Sequence, residues 1–296
     1  MVRYLSGSLA NSLIETSFAD YILLQERKFT SRVGGWRYSR TQPRHMIPKA
    51  EEVLFRRAPC ERTYSIILTV GRIGPCDVTL KSDLESLIGD LSSKEKYLNL
   101  LVTNAGISGP KAPPDTSHAP SLHDKIWKAE SVGDWQSVLT TNVTSVYFSV
   151  MAFLPLLQAS MVPSGAFASR SASVIVISSM SGIMRDSQGH FAYNAAKGAT
   201  VHLSKLLSAE LEKTSIRVNS IAPGYFPSEM TMRSSDEDNK TRMPPEKVKE
   251  KGHVPAQRPG SDEEMAQTVI FLTKNMYVNG EVIAVDGGVL NQVPGR

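Results

Sequence analysis

"LNLLVTNAGISGP" (residues 98–110) is a short apolar run that stops abruptly at small, turn-forming residues. An apolar run of this length bounded by turn residues reads as a strand rather than a helix. The lack of polar alternation inside it fits a strand covered on both faces. Three later runs repeat the pattern and are rich in β-branched residues: "SVIVIS" (173–178), "IRVNSIA" (216–222) and "EVIAVD" (281–286). Between the runs lie longer stretches of helical periodicity, over 135–157, 191–211 and 262–272. Strands alternating with helices build βαβ units. The expected fold is therefore α/β, a doubly wound and mostly parallel sheet with helices on both faces, in a single domain.

The chain has 296 residues, 41% hydrophobic and 21% charged, which is ordinary for a globular domain with a sizeable core. No uninterrupted apolar run reaches the ~20 residues of a membrane span, and the first residues lack the apolar stretch of a secretory signal, so no membrane partner is expected. The two cysteines, Cys60 and Cys76, make neither a metal-ligand spacing nor a disulfide framework, and no metal is expected. Free thiols fit a reducing, cytoplasmic setting. The net charge of +4 is uneven: residues 1–70 hold 11 Lys/Arg against 6 Asp/Glu, and the remainder is close to neutral. Without a basic stripe interleaved with aromatics, nucleic acid is not an expected partner. Two segments read as surface insertions, the Pro- and Ser-rich 108–121 and the highly charged 234–252.

Chemistry is suggested by "GHFAYNAAKGAT" (189–200), which sets Tyr193 and Lys197 four apart among small residues. On a helix these positions share a face. An ammonium beside a phenol stabilises the phenolate and lowers its pKa from about 10 toward neutrality. The same spacing also suits an exposed pair on an amphipathic helix. Small-residue turns follow the runs at 98–103, 173–178 and 216–222: Asn104-Ala105-Gly106, Ser178-Ser179 with Gly182, and Pro223-Gly224. These are carboxyl ends of strands, where open α/β sheets bind their ligands.

With these pieces assembled, the chain resembles the short-chain dehydrogenase/reductase family. The matching stretches are "CDVT" (76–79), "NAG" (104–106), "TNV" (141–143), "ISSMSG" (177–182), "YNAAK" (193–197), "RVNSIAPGYF" (217–226) and "GEVIAVDGG" (280–288), in the family's order. "FAYNAAK", "APGYFPSEMT" and "VDGGVLNQ" are most similar to bacterial and fungal 3-oxoacyl-carrier-protein reductase-like members. The resemblance implies a Rossmann-like fold and reduction of a ketone or 3-oxoacyl-type carbonyl with NADP, NAD being the less expected cofactor. The substrate it implies is a small molecule or an acyl chain on a carrier protein. Tyr193 would protonate the carbonyl oxygen, Lys197 would tune the tyrosine and bind the nicotinamide ribose, and Ser179, with Ser178 as reserve, would hold the substrate oxygen. Asn142 would hold a water beside Lys197 in a proton relay. Asp77 would bind the adenine or else serve as a turn residue, Asn104 would line the adenosine pocket, and Phe226 and Ser228 would contact the nicotinamide. The long helical stretches are apolar on more than one side, which suggests a homodimer or tetramer through them.

The resemblance fails at one end. The family opens with a strand, a T-G-x-x-x-G-x-G turn and a helix, and that glycine pattern is missing from this sequence. The nearest substitute, "SRVGGWRYSRTQPRHMIPKA" (31–50), offers Gly34-Gly35 followed by Trp36, Arg37 and Tyr38, with Pro43 and Pro48 where a helix should run. "EEVLFRRA" (51–58) reads as the second strand, ending in Arg56 and Arg57, a pair suited to a 2′-phosphate or simply to the surface. Residues 1–75 are thus an atypical N-terminal part of the cofactor half, and 76–296 carry the rest. Two explanations stand: an impaired protein that binds or regulates, or an N-terminus altered by frame or splicing.

Overall fold

The computed structural model describes residues 2–5, 64–68, 71–114, 117–161, 171–228 and 243–293. Seven strands form one sheet: β1 (Val2–Leu5), β2 (Tyr64–Leu68), β3 (Gly71–Cys76), β4 (Leu100–Thr103), β5 (Ser173–Ile177), β6 (Arg217–Pro223) and β7 (Val282–Val285). Their order is β3-β2-β1-β4-β5-β6-β7. The four runs recognised in the sequence become β4 to β7 and pair in parallel, with Leu100 beside Ser173 and Ser173 beside Arg217. β1 is parallel to β2 but antiparallel to β4, and β2 is antiparallel to β3. A sheet that is mostly parallel is therefore what forms. The β2–β3 exception follows from its short connection, because closely spaced strands close only as a hairpin. The antiparallel β1 has its carboxyl end opposite those of β4 to β7. The expected strand at 51–58, with Gly34, Gly35, Arg56 and Arg57, lies outside the described residues.

Among the described residues the α-helices are α1 (Lys81–Ser92), α2 (Ala119–Ala129), α3 (Val132–Leu139), α4 (Ser145–Ala159), α5 (Phe191–Leu211), α6 (Pro245–Lys249), α7 (Asp262–Lys274) and α8 (Val289–Gln292). α3 and α7 begin with reciprocal capping boxes, Ser131 with Asp134 and Ser261 with Glu264. α3 and α4 run on through a π turn, Thr140–Thr144, that holds Asn142. This joined 28-residue helix is apolar and long enough to cross a membrane by composition alone. Val146, Val150, Phe153 and Leu157 on it are buried against the sheet, the usual environment of a core helix. Part of the 108–121 segment is helical, since α2 starts at Ala119.

Alternation along the strands divides the core. Leu101, Val174, Val176 and Val218 point to one face and pack with α1, α4 and α5. Leu100, Val102, Ile175 and Ile221 point to the other and pack with Leu272 of α7. Both faces of the sheet are thus covered, which is why β4 and β5 carry so few polar residues. The buried Arg217 at the start of β6 binds four backbone carbonyls at the end of α7 and just beyond it.

Candidate active site

The turn after β5 and the first turns of α5 come together because two glycines let their backbones touch. A Cβ on Gly182 would run into the Lys197 carbonyl and lie 2.7 Å from the Gly198 nitrogen. This contact brings Ser179 to Tyr193, and the two hydroxyls share a hydrogen bond. Ser179 also accepts from the Ser181 N–H at 3.1 Å, which orients its side chain. Ser178 is committed elsewhere: it donates to the Ile221 carbonyl at 3.0 Å and accepts from Ser220 at 2.7 Å. Ser179, not Ser178, is the serine at the tyrosine.

Lys197 lies under the site, 4% exposed, with its Nζ 5.8 Å from the centre of the Tyr193 ring. Its ammonium donates to the Ile177 carbonyl at 2.9 Å. Burial lowers its pKa from 10.5 to about 8. The phenol does not follow the expectation of a lowered pKa. Burial raises Tyr193 above its ordinary value, and the Ser179 hydrogen bond offsets that only in part. The physical reason is distance: the ammonium is turned to a strand carbonyl, and desolvation of the ring is left as the larger effect.

Asn142 holds the turn after β4. Its Oδ1 accepts from the Ile107 N–H at 2.8 Å, and its Nδ2 donates to the Ile107 carbonyl at 2.9 Å. Its own carbonyl, in the π turn, accepts from the Thr200 hydroxyl at 2.9 Å. Each of the two bonds to Ile107 uses one of the two acceptor or donor positions of its side-chain atom. Asn142 pins the turn after β4 over Lys197 and is a positioning residue. A Cβ on Gly106 of that turn would lie 3.1 Å from Asn142 Oδ1 and 3.7 Å from Lys197 Nζ.

The remaining expected residues border this centre. Asn104 is exposed at the end of β4. Asp77 forms the turn its alternative reading foresaw, since its Oδ1 accepts from both the N–H and the hydroxyl of Thr79, at 2.9 and 2.7 Å. Phe226 stands after β6 against Gly260, where a Cβ would meet the ring. Ser228 is partly buried and is the last described residue before 243. A cleft of about 460 Å³ opens between the ends of β6 and β7 and α7, lined by Phe226, Thr268, Phe271, Val285 and Asp286 among others. Ser179, Tyr193 and Lys197 are not among its lining residues. Neither Arg217 nor the 182–198 glycine contact was singled out by sequence reasoning. The contact had a signal, since a glycine stands near each end of the serine-to-lysine interval.

Lys197 supports a test in which stability and function move apart. Holding its pKa near 8 instead of 10.5 corresponds to roughly 3 kcal/mol of disfavoured charge below pH 8. The lost Ile177 hydrogen bond takes back about 1 kcal/mol. Lys197→Met is expected to gain about 2 kcal/mol of stability at pH 7 while losing activity. Between about pH 8 and 10.5 the unfolded wild type binds more protons than the folded one, so wild-type stability rises with pH and the advantage shrinks. Thermal melts at pH 7 and 10 check this, and an equally stable or weaker variant at pH 7 counts against a buried charge.

The comparisons agree on the kind of protein this resembles. The model of a family described as Enoyl-(Acyl carrier protein) reductase matches residues 63–290. Short-chain dehydrogenase/reductase SAT3 of Stachybotrys chartarum is 36% identical over 233 residues, covering 73% of this chain and 84% of the relative. The rhamnolipids biosynthesis 3-oxoacyl-[acyl-carrier-protein] reductase of Pseudomonas aeruginosa is 34% identical over 216 residues, covering 72% and 75%. Among solved structures, the Pseudomonas aeruginosa RhlG/NADP active-site complex is similar with a TM-score of 0.59 and 31% identity, over 76% of each chain.

Proposed function

The chain belongs to the short-chain dehydrogenase/reductase family, and from that premise we propose that it reduces a ketone or 3-oxoacyl-type carbonyl with NADP, Tyr193 acting as the acid. The observation that carries the reading is the hydrogen-bonded Ser179–Tyr193 pair set beside a buried ammonium. Two hydroxyls aimed at one place can hold a carbonyl oxygen and stabilise the charge that develops on it. Tyr193, held protonated by burial, then gives its proton to that oxygen. Ser179, fixed by the Ser181 N–H, keeps the oxygen within reach. A 3-oxoacyl substrate is supported by the name of the Pseudomonas relative, and NADP by that of the solved complex. Exposed Tyr147 and Phe148 on α4 and Leu206 on α5 support self-association through these helices.

The residues present fit one half of the cofactor. Lys197 keeps donors beyond the one given to Ile177, and Gly106 leaves the ammonium without a side chain over it, a cradle suited to ribose hydroxyls. The nicotinamide, when bound, supplies hydride to the carbonyl carbon. The diphosphate half has no such support, because the glycine turn that would hold it is missing from the sequence. That absence favours a second reading, an impaired family member that binds or regulates.

Titrating the full chain with NADPH, followed by nicotinamide fluorescence, separates the two readings, and a 3-oxoacyl thioester is then added to look for loss of the reduced cofactor. Binding is expected about tenfold or more weaker than in a relative with the complete turn, a difference of ~1.4 kcal/mol. Turnover on addition of the thioester supports the reductase. Saturable binding without turnover of any carbonyl supports the silent reading, and binding as tight as in the relative shows that residues 1–75 make a working site.

A further inference from the structure

Three segments meet at the rim beside Tyr193, two bringing a lysine and the third a histidine. The loop after β4 pairs with the turn before α5: the Ala112 N–H donates to the Gly189 carbonyl at 2.7 Å, and the His190 ring bonds the Pro110 carbonyl. The same turn reaches the segment after β6, where Gln188 Nε2 donates to Tyr225 Oη at 2.8 Å. Tyr225 Oη is 3.0 Å from His253 Nε2, and the Lys251 ammonium stands 4.5 Å from the centre of the Tyr225 ring. Lys111, His190 and Lys251 are thereby gathered around one turn that ends three residues before Tyr193.

Bringing like charges together costs free energy unless a counter-ion joins them. The repulsion is felt: behind burial as the larger cause, Lys111 lowers both His190 and Lys251 from their ordinary values, and Lys251 lowers His190 further. Asp186 bears electrostatically on Tyr225, and its Oδ1 already accepts from the Gln188 N–H at 2.9 Å. The Nδ1 atom of His190 is buried and has no hydrogen-bond partner among the described residues.

We propose that this rim receives an anionic group, a carboxylate or a phosphoryl, carried by the carbonyl substrate, with Lys111 and Lys251 as its charge partners and His190 between them. The assignment rests on the reductase reading, because the rim matters to catalysis through its place beside Tyr193. Ammonium groups bind either anion as point charges. Because the His190 ring already bonds the Pro110 carbonyl, its Nδ1 becomes a second donor in the charged form, which an arriving anion stabilises.

The test uses matched pairs on the full chain: 3-oxobutanoate against its ethyl ester, and dihydroxyacetone phosphate against dihydroxyacetone. At least one anion is expected to exceed its neutral partner in kcat/KM by about tenfold, an advantage that shrinks as salt is added. Lys111→Met combined with Lys251→Met should abolish that preference through KM, leaving kcat and the neutral partner within about twofold. Neutral ketones preferred in both pairs, or a preference that survives the double variant, overturns the proposal. Binding is also read without turnover, from the imidazole resonances of His190 across pH. The anion is expected to raise the pKa of His190 and the neutral partner to leave it in place; no displacement with either anion at saturation overturns the proposal. A chain that shows the shift but reduces no ketone keeps the rim and loses the reductase reading.

Discussion

Tyr193→Phe is expected to lower kcat for carbonyl reduction at least about a hundredfold, the lower end of what a positioned general acid contributes. The substitution removes one hydroxyl and keeps the ring, so the packing of α5 on the serine turn is retained. It takes away the proton donor and one of two hydrogen bonds to the substrate oxygen, leaving Ser179 alone to hold the developing charge. Cofactor affinity should be unchanged, because Lys197 still reaches Ile177 and the turn at Gly106 is pinned by Asn142. The measurements are kcat and NADPH affinity at pH 7 on the same preparation, with a thermal melt to confirm folding. A variant that keeps more than about a tenth of the wild-type rate has lost under ~1.4 kcal/mol, and Tyr193 is then not the acid.

The upward displacement of Tyr193 sharpens this expectation. A phenol lowered to neutrality would be a shared acid and base, whereas one held high remains protonated at pH 7 and is suited to giving a proton. Lys197, near 8, is the group in the site that changes charge closest to working pH.

What was legible in the sequence divides along physical lines. β4 and β5 are buried on both faces, so their apolar runs carried a clear signal, and α5 spans the very residues its periodicity marked, Phe191–Leu211. Tyr193 and Lys197 lie on one helix, as their spacing predicts, and Ser179 lies in the turn after β5. Asn142 stands on the long helix, as expected, but spacing does not reveal that it lies in a π turn and that its carbonyl meets Thr200. The reversed direction of β1 could not be read either. Val2–Leu5 is four residues long, and strand direction is decided by partners far away in the chain. The rim of Lys111, His190 and Lys251 was invisible for the same reason, since its members come from three loops joined only by tertiary hydrogen bonds.

The largest stability effect is expected at Arg217, 5% exposed, where the sheet and α7 are joined. A helix ends with carbonyls that lack partners inside it, and an arginine at the end can supply them. Here Nη1 donates to the carbonyls of Leu272, Asn275 and Val278 at 2.8, 3.1 and 3.0 Å, and Nη2 donates to that of Thr273 at 2.9 Å. Nε donates to the Ser171 hydroxyl at 2.7 Å, tying in the segment before β5. These partners are neutral, so the guanidinium is held by oriented dipoles and the negative end of α7. Arg217→Met fills similar space but leaves the acceptors without donors, and a loss of about 4 kcal/mol follows from several charge-assisted hydrogen bonds removed at once. For a chain of this size that is roughly a 10 °C fall in Tm. Lysine has one nitrogen where arginine spreads three across the acceptors, so Arg217→Lys should recover less than half of the loss. Below its own melting point the Met variant should turn over at the wild-type rate within about twofold, because Ser179 and Tyr193 are held by α5 and the turn after β5, not by α7. A fall of under about 1 kcal/mol would show that water replaces the guanidinium freely and that the end of α7 is not held by Arg217.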